Sequence, residues 1–587
     1  MTDDAAIAAF HRRCRDGLLA ARAARGEWRG RLSSSALSTA VAAFALRYDP
    51  DPACQRAAAR GLDWLGKTIL ADGSWGDTPS SPGNLSTTLL ALAALSAGEA
   101  VAAHRPLVER AEGWVRGQLG STAPAALAAA VLSCYGADRT FSVPILTVLA
   151  LSGRLGEAPA CWRQVPALPV ELAALPRRCF TLVGLPVVSY ALPALIAMGW
   201  VRHRLGPSPR LPWRGPCGRL ALRRLVHLQP LSGGFLEAAP LTAFVAMSLA
   251  ASGGAPAVVL ERCKGFLLAT QRPDGSWPID TDLATWVTTL AVQGLGEDLP
   301  QADRDGLRDW LLAQQFRQTH PFTGAAPGGW AWTDLPGGVP DADDTAGALL
   351  ALHRLGGTGP SQRPVAEAGL TWLLDLANRD GGIPTFCRGW GRLPFDRSTA
   401  EITAHALRAF VLWEPAASAP LRARLRRATA AGLEYLRRVQ RPDGAWVPLW
   451  FGHQSAPEHG NPVVGTARVL AALSEVLPSA APAGTGWVRA AVDWLVAAQG
   501  ADGGWGGDRG LAASAEETAL AVRALTPWTA VRDRAAAGVD WLVAHPEALD
   551  RPAPIGLYFS SLWYAQDLYP RLFTCEALRA WRAAVRR

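Results

Sequence analysis

Charge is scarce in this chain: 18% of its 587 residues are Asp, Glu, Lys or Arg, against 49% hydrophobic. That balance excludes a disordered or merely solvating polymer. Lysine is almost absent, so the net charge of +8 rests on arginine. The arginines are scattered, which excludes a dedicated nucleic-acid patch and leaves an anionic membrane surface as the other reading of their sign. The nine cysteines stand singly, with no C-x-x-C and no Cys/His pair at zinc spacing. A disulfide framework and a structural zinc site are therefore excluded, and reduced, mostly buried thiols of a cytosolic protein are expected. The opening MTDDAAIAAFHRRC is acidic and lacks an apolar core, so no signal peptide is expected. Strand signals are nearly absent as well, which points away from sheet-based folds.

Hydrophobic length and tryptophan are plentiful. At 587 residues the chain exceeds one ordinary core, so two or more domains are expected. The longest apolar run, residues 180–200 (FTLVGLPVVSYALPALIAMGW), has the length of a membrane span, but Pro186 and Pro193 interrupt it. We expect a kinked segment that dips into one leaflet, with a buried core segment as the alternative. Tryptophan is the unusual residue, with 24 Trp against 7 Tyr and 15 Phe.

Much of that tryptophan belongs to a repeat. FLLATQRPDGSW (266–277), YLRRVQRPDGAW (435–446) and WLVAAQGADGGW (494–505) share an apolar lead, a Gln, a turn and Gly-x-Trp. Looser copies begin at Trp64, Leu225 and Trp372, and a stretched one runs from Trp310 to Trp330. A Thr- or Ser-marked apolar helix follows each turn, as in STTLLALAAL, DDTAGALLAL and GTARVLAAL. Pro, Asp and Gly are the expected helix breakers between the two members of each pair. Each unit of roughly 50 residues reads helix–turn–helix, which makes this an all-α repeat protein. The second helices are apolar around much of their circumference, as if buried on two sides, and that favours closed α/α rings over an open solenoid. The Gln is expected to cap helix-end groups and the indole to pack on the turn.

One stretch breaks the pattern. PDADDTAGALLAL (340–352) opens with Asp341, Asp343 and Asp344 and continues as an apolar helix. Acids are stabilised at a helix N-terminus, so an ordinary acidic helix start is one account. The other is a proton donor. Like charges packed in a dry place cannot all ionise, so one carboxyl keeps its proton. Such an acid could protonate a base as weak as an alkene.

With D-x-D-D-T-A set among Gln…Gly-x-Trp repeats, the chain resembles the class II terpene cyclases, most closely the squalene–hopene cyclase branch. The resemblance extends from GEWRGRLSSSAL (26–37) to YFSSLWYAQDLYP (558–570). It implies two α/α toroids around an apolar cavity: residues 1–22 as a helix packing on the C-terminal toroid, 23–264 as an inserted N-terminal toroid, and 265–587 as the catalytic toroid. It implies that Asp343 protonates a linear isoprenoid, tuned by Asp341 and Asp344 and supported by His405 of EITAH. Glu401 stands there where the family has Asp. The cation then runs along aromatic walls, because ring quadrupoles stabilise positive charge. The matching wall positions are Trp286, Trp332, Phe386 and Trp450. Trp162 and Glu171 match a segment near the cavity floor. Tyr558, Phe559, Trp563 and Tyr564 form a C-terminal aromatic cluster of ambiguous register.

The resemblance implies no metal and no organic cofactor. It implies a hydrophobic isoprenoid substrate, most simply squalene, and a monotopic position on the cytoplasmic side of the cell membrane; nucleic acid is not a partner, and a homodimer is left open. Val464 precedes Gly465-Thr466 where the family often has Tyr, and SSSALSTAV lacks an acid the family carries. Initiation is thus implied and the hopene product is not. A cyclase of a prenyl diphosphate or prenylated aromatic is a second reading, with Arg388 and Arg392 as conceivable anion donors. A protein prenyltransferase would need a zinc cluster, and a class I synthase a D-D-x-x-D motif; neither is present. A noncatalytic, lipid-binding helical repeat would not need the acid, His405 and the aromatic set together.

Overall fold

A computed structural model describes residues 3–586 except 99, 137–138, 176–178, 181–191, 208–212, 322, 358, 360–361, 390, 392–393, 478–485 and 557–561. The chain is helical throughout, and its described strands are two-residue pieces such as Ser34–Ser35 against Trp277–Pro278.

The repeat turns explain how the helices pair. Gln440 follows the outer helix Ala419–Val439, and its Nε2 donates to the carbonyls of Gly444 at 2.7 Å and Trp487 at 2.8 Å. Trp487 belongs to the next outer helix, Gly486–Ala497. Trp446 Nε1 donates to the Leu436 carbonyl at 2.9 Å, in the last turn, where carbonyls have no intrahelical donor. The Trp446 backbone N–H donates to Thr466 Oγ1 at 3.1 Å, on the inner helix Pro462–Val476. Gln, Trp and Thr thus tie three helices to one turn, and this is why a Thr marks the second helix. Gly444 has φ +98°, and a Cβ there would lie 2.4 Å from the Ala490 carbonyl, so both conformation and space demand glycine.

The same ties close two rings. Trp277 N–H reaches back to Thr39 Oγ1 at 3.0 Å, and Gln271 Nε2 to the Ala57 carbonyl at 2.8 Å. In the first ring the inner helices Ala36–Leu46, Leu85–Leu95, Arg139–Leu151, Leu192–Leu205 and Ala239–Ser252 touch in that order, and the last touches the first. The second ring runs Ala284–Leu295, Ala342–Arg354, Ala400–Trp413, Pro462–Val476, Ala515–Leu525 and Tyr569–Val585, again closing on itself. The helix Asp4–Ala20 packs outside Tyr569–Val585. Every residue of Ala36–Leu46 is buried, whereas the outer helix Pro52–Thr68 buries one stripe, including Cys54, Ala57, Ala58, Gly61, Leu62 and Leu65. The double helical ring expected from the pattern is therefore the fold.

The described half of the long apolar run follows the alternative, a buried core segment. Residues 181–191 lie outside the described residues, but Leu192–Leu205 is an inner helix, with Ile196, Met198, Trp200 and Val201 buried in the first ring. Tertiary packing has made that half core. No described helix is long and apolar enough to cross a membrane.

Candidate active site

An apolar cavity of about 300 Å³ lies between the rings. Leu37, Phe141, Ile145 and Phe244 contribute from the first ring; Trp286, Asp341, Asp343 and Asp344 contribute from the second. No Arg or Lys lines it among the described residues.

Asp341 is the N-cap of helix Ala342–Arg354, its side chain accepting from Asp344 N–H at 2.9 Å. Asp343 sits in the first turn and faces two partners, one on the next inner helix of the ring and one on the helix after it. His405 Nδ1 lies 2.6 Å from its Oδ1, and Arg468 Nη2 lies 3.1 Å from both carboxylate oxygens. Helix Ala400–Trp413 supplies His405, and Pro462–Val476 supplies Arg468.

The three acids do not share one state. Burial foremost pushes Asp341 up to about 7, and it raises Asp344 well above the carboxylate range, with the Asp341 charge adding to that. Burial acts upward on Asp343 too, but the Arg468 charge and then His405 more than reverse it and hold Asp343 at about 2. One carboxyl was expected to keep its proton, and the middle one was the expected donor; burial favours the protonated form of the flanking pair, whereas Arg468 and His405 favour the Asp343 carboxylate, which makes Asp343 the strongest acid of the three. Burial lowers His405, Asp343 opposes that, and Arg468 adds to the lowering.

The expected wall residues separate into two groups. Trp286, Trp332, Phe386, Trp450 and Tyr564 line the cavity. The Trp332 carbonyl accepts from the N–H groups of Thr285 and Trp286 at 2.9 and 3.1 Å, tying two wall residues together. Trp286 Nε1 donates to Tyr569 Oη at 2.9 Å, and Trp450 Nε1 donates to Thr385 Oγ1 at 2.9 Å. Phe386 and Trp450 meet edge to face, with centroids 5.9 Å apart.

Four other positions fall outside the described lining. Trp162 is not among the described lining residues: it is buried in the first ring, where a Cβ on Gly206 would come within 2.9 Å of it. Glu171 pairs with Arg214. Trp563 is adjacent to Tyr564 on a strand paired with Ile555–Gly556, so the two side chains face opposite ways; Trp563 turns from the cavity and meets His459. Glu401 does not join the wall either. It is buried, and its Oε1 accepts from Leu449 N–H at 2.8 Å and Trp450 N–H at 3.4 Å, which holds the loop carrying Trp450. Tyr558, Phe559 and Arg392 lie outside the described residues. Arg388 is exposed and is not among the described lining residues.

Sequence reasoning missed Arg468, Tyr569, Phe451 and Asp280. Asp280 lines the cavity, accepts from Thr281 N–H at 2.7 Å, and is pushed well above the carboxylate range by burial and then by Glu237 and Asp282. Arg468 carried a signal: it is a guanidinium in GTARVLAAL, an otherwise apolar inner helix. Behind Asp343 a second, polar chamber of about 80 Å³ is lined by His405, Arg468, Glu401, Arg408, Glu516 and Glu517, among others. Trp286 and Phe451 border both chambers.

Two helical rings around an apolar cavity define the fold of a class II terpene cyclase. The solved ent-copalyl diphosphate synthase from Streptomyces platensis aligns over 98% of this chain and 99% of its own, at TM-score 0.58 and 21% identity. The family models for the squalene-hopene cyclase N-terminal and C-terminal domains match residues 12–191 and 283–551. The chain belongs to the squalene–hopene cyclase family. The enfumafungin synthase of Hormonema carpetanum is 25% identical over 92% of this chain and 45% of its own length. The squalene–hopene cyclase of Bradyrhizobium diazoefficiens is 29% identical over 44% of this chain and 42% of its own. The chain spans less than half the length of these curated relatives.

Proposed function

We propose that the protein cyclises a linear, uncharged isoprenoid, with squalene the first candidate, by protonating a terminal alkene from Asp343. The observation that carries this reading is a carboxyl in the lining of an aromatic-walled cavity with no cationic side chain among its described lining residues. A diphosphate would need cationic groups or a metal ion to offset its charge. An uncharged polyprene needs only apolar burial and ring faces for the migrating cation. Asp343, the strongest acid of the three, donates from its small protonated fraction, which solvent refills; Trp286, Trp332, Phe386 and Trp450 flank the developing cation, and the reaction ends by loss of a proton or addition of water.

The test is incubation of detergent-solubilised protein with squalene beside an Asp343→Asn control, read by gas chromatography–mass spectrometry. A squalene isomer or hydrate formed only by the parent supports the reading. Product from geranylgeranyl diphosphate but not from squalene would replace it with the diphosphate reading.

The substrate would arrive from a bilayer. Leu172, Leu175, Trp213 and Leu220 are exposed, and Arg219 and Arg223 are exposed on the same helix Arg214–Leu228. Arg224 Nη1 donates to the carbonyls of Ala173 and Leu175 at 2.8 and 2.6 Å, which places Leu172 and Leu175 beside that helix. Apolar side chains rimmed by arginine suit an anionic surface. A Trp213→Glu/Leu175→Glu variant should lose sedimentation with anionic liposomes while staying folded; unchanged sedimentation would remove this face from the reading.

A further inference from the structure

We propose that Arg468 sets the charge at Asp343: its guanidinium, in place of a protonated His405, is the cation that stabilises the carboxylate left when the acid gives up its proton. This rests on the cyclase reading above and assigns Arg468 a positioning role. The first observation is geometric. Nη2 is equidistant, at 3.1 Å, from both Asp343 oxygens, so the positive charge faces the whole carboxylate. The second is that Arg468 is held there by more than Asp343. Its guanidinium carbon lies 5.1 Å from the Phe451 ring centre and 5.7 Å from that of Trp286, both rings of the cavity wall.

The third observation concerns competition. His405 Nδ1 lies 2.6 Å from the same carboxylate, so an imidazolium and a guanidinium would crowd one anion in a buried place. An arginine does not surrender its proton under these conditions, so the histidine does. A neutral His405 with its proton on Nδ1 still donates the short hydrogen bond. The surrounding charges leave that division in place. Asp341 and Asp344 come from the acid's own helix, and Glu401 and Arg408 from the histidine's. Glu516, Glu517 and Arg523 come from Ala515–Leu525, and Glu576 from Tyr569–Val585. Arg408 and Arg523 are engaged by Glu475, and Arg523 also by Glu576, which leaves Arg468 as the cation on Asp343.

The step balances as follows. The Asp343 O–H proton bonds to the terminal alkene carbon using the alkene π pair, and the O–H pair stays on Asp343 as carboxylate. The positive charge passes to the adjacent carbon. The next proton comes from solvent, which receives one when the product cation is deprotonated. A fixed guanidinium makes the strength of this acid independent of imidazole titration between pH 5 and 8, where a histidine-supported acid would change.

The experiment compares the full-length parent with Arg468→Lys and Arg468→Gln, reading product from squalene over that pH range and, separately, the infrared carboxyl bands in a titration carried down to about pH 2. The parent should show no His405 limb. Arg468→Gln should form about a hundredfold less product, and its residual activity should rise toward acid with a midpoint near the ordinary histidine value, as imidazolium takes over. Arg468→Lys should retain more than Arg468→Gln. In the infrared, Arg468→Gln should move the protonation of one carboxyl upward by about one to three pH units, in a band lost from the Arg468→Gln/Asp343→Asn double variant. Equal impairment of Lys and Gln variants with a parent-shaped profile, or an unshifted carboxyl band, overturns the proposal. If the parent turns over no polyprene, the cyclase reading fails on its own, and the infrared titration still decides the role of Arg468.

Discussion

The two rings are built from the same helix pair and the same clamp, yet their inner helices differ in kind. In the first ring, Ala36–Leu46, Leu85–Leu95 and Ala239–Ser252 contain no charged residue, and Arg139–Leu151 and Leu192–Leu205 carry theirs, Arg139, Arg202 and Arg204, at a terminus. In the second, inner helices carry Asp343, Glu401, His405, Arg408, Arg468, Glu516 and Glu517, and a polar chamber occupies the space among them. The clamp is indifferent to this: Trp75 Nε1 donates to Leu65 O at 2.9 Å, and Trp505 Nε1 to Leu495 O at 2.8 Å. The lesson is that the scaffold and the chemistry are separable. Outer helices, turns and tryptophans build a ring, and what faces its axis is free to be apolar or ionic. The first ring supplies apolar surface to the cavity, and the second supplies the acid and the charges that tune it.

Substitutions can break this comparison. The largest effect is expected at the acid: Asp343→Asn should cut product formation by about 10³-fold or more, with an unchanged circular dichroism spectrum, while no single residue of the first ring's inner helices should match it. Next come the clamps. Trp75→Ala and Trp505→Ala should each cost about 3–5 kcal/mol in chemical denaturation; unequal costs would mean the rings are not equivalent scaffolds.

A smaller effect tests the ionic axis. Burial, and then Glu517, pushes Glu516 up to about 8. Its folded value lies above the ordinary unfolded value near 4.3, so its contribution is fully present below that value. It is lost as pH rises toward 8, at about 1.4 kcal/mol per unit of displacement. Glu516→Gln should therefore gain stability on the parent between pH 5 and 8 and match its pH dependence below 4, as read from melting temperatures. The opposite slope would place Glu516 in an ion pair. The mildest expected effect is at the wall: Trp450→Ala should lower turnover by about tenfold or less while changing the distribution of products, which a mass-spectrometric profile reads directly.

Much of this was legible in the residues. The Gln…Gly-x-Trp spacing located the turns, and the all-round apolar second helices pointed to rings, because both follow from local patterns of burial and helix-end hydrogen bonding. His405 was found through EITAH, and Trp286, Trp332, Phe386 and Trp450 through their motifs. Trp162 was misread because a buried indole in the first ring and a cavity indole have the same sequence appearance. Trp563 and Tyr564 were treated as one cluster because the strand that sends them to opposite faces is only two residues long.

The sequence by itself determined the repeat, the closed helical rings and the acid at the start of a buried helix, since each is written in residues close together in the chain. Only the tertiary structure decided which of the three acids is the strongest. That depends on Arg468 and His405, which lie 125 and 62 positions from Asp343 and meet it at 3.1 and 2.6 Å. Coulomb energy falls with distance through space and rises as water is excluded, and neither distance nor exclusion can be read from spacing along a chain.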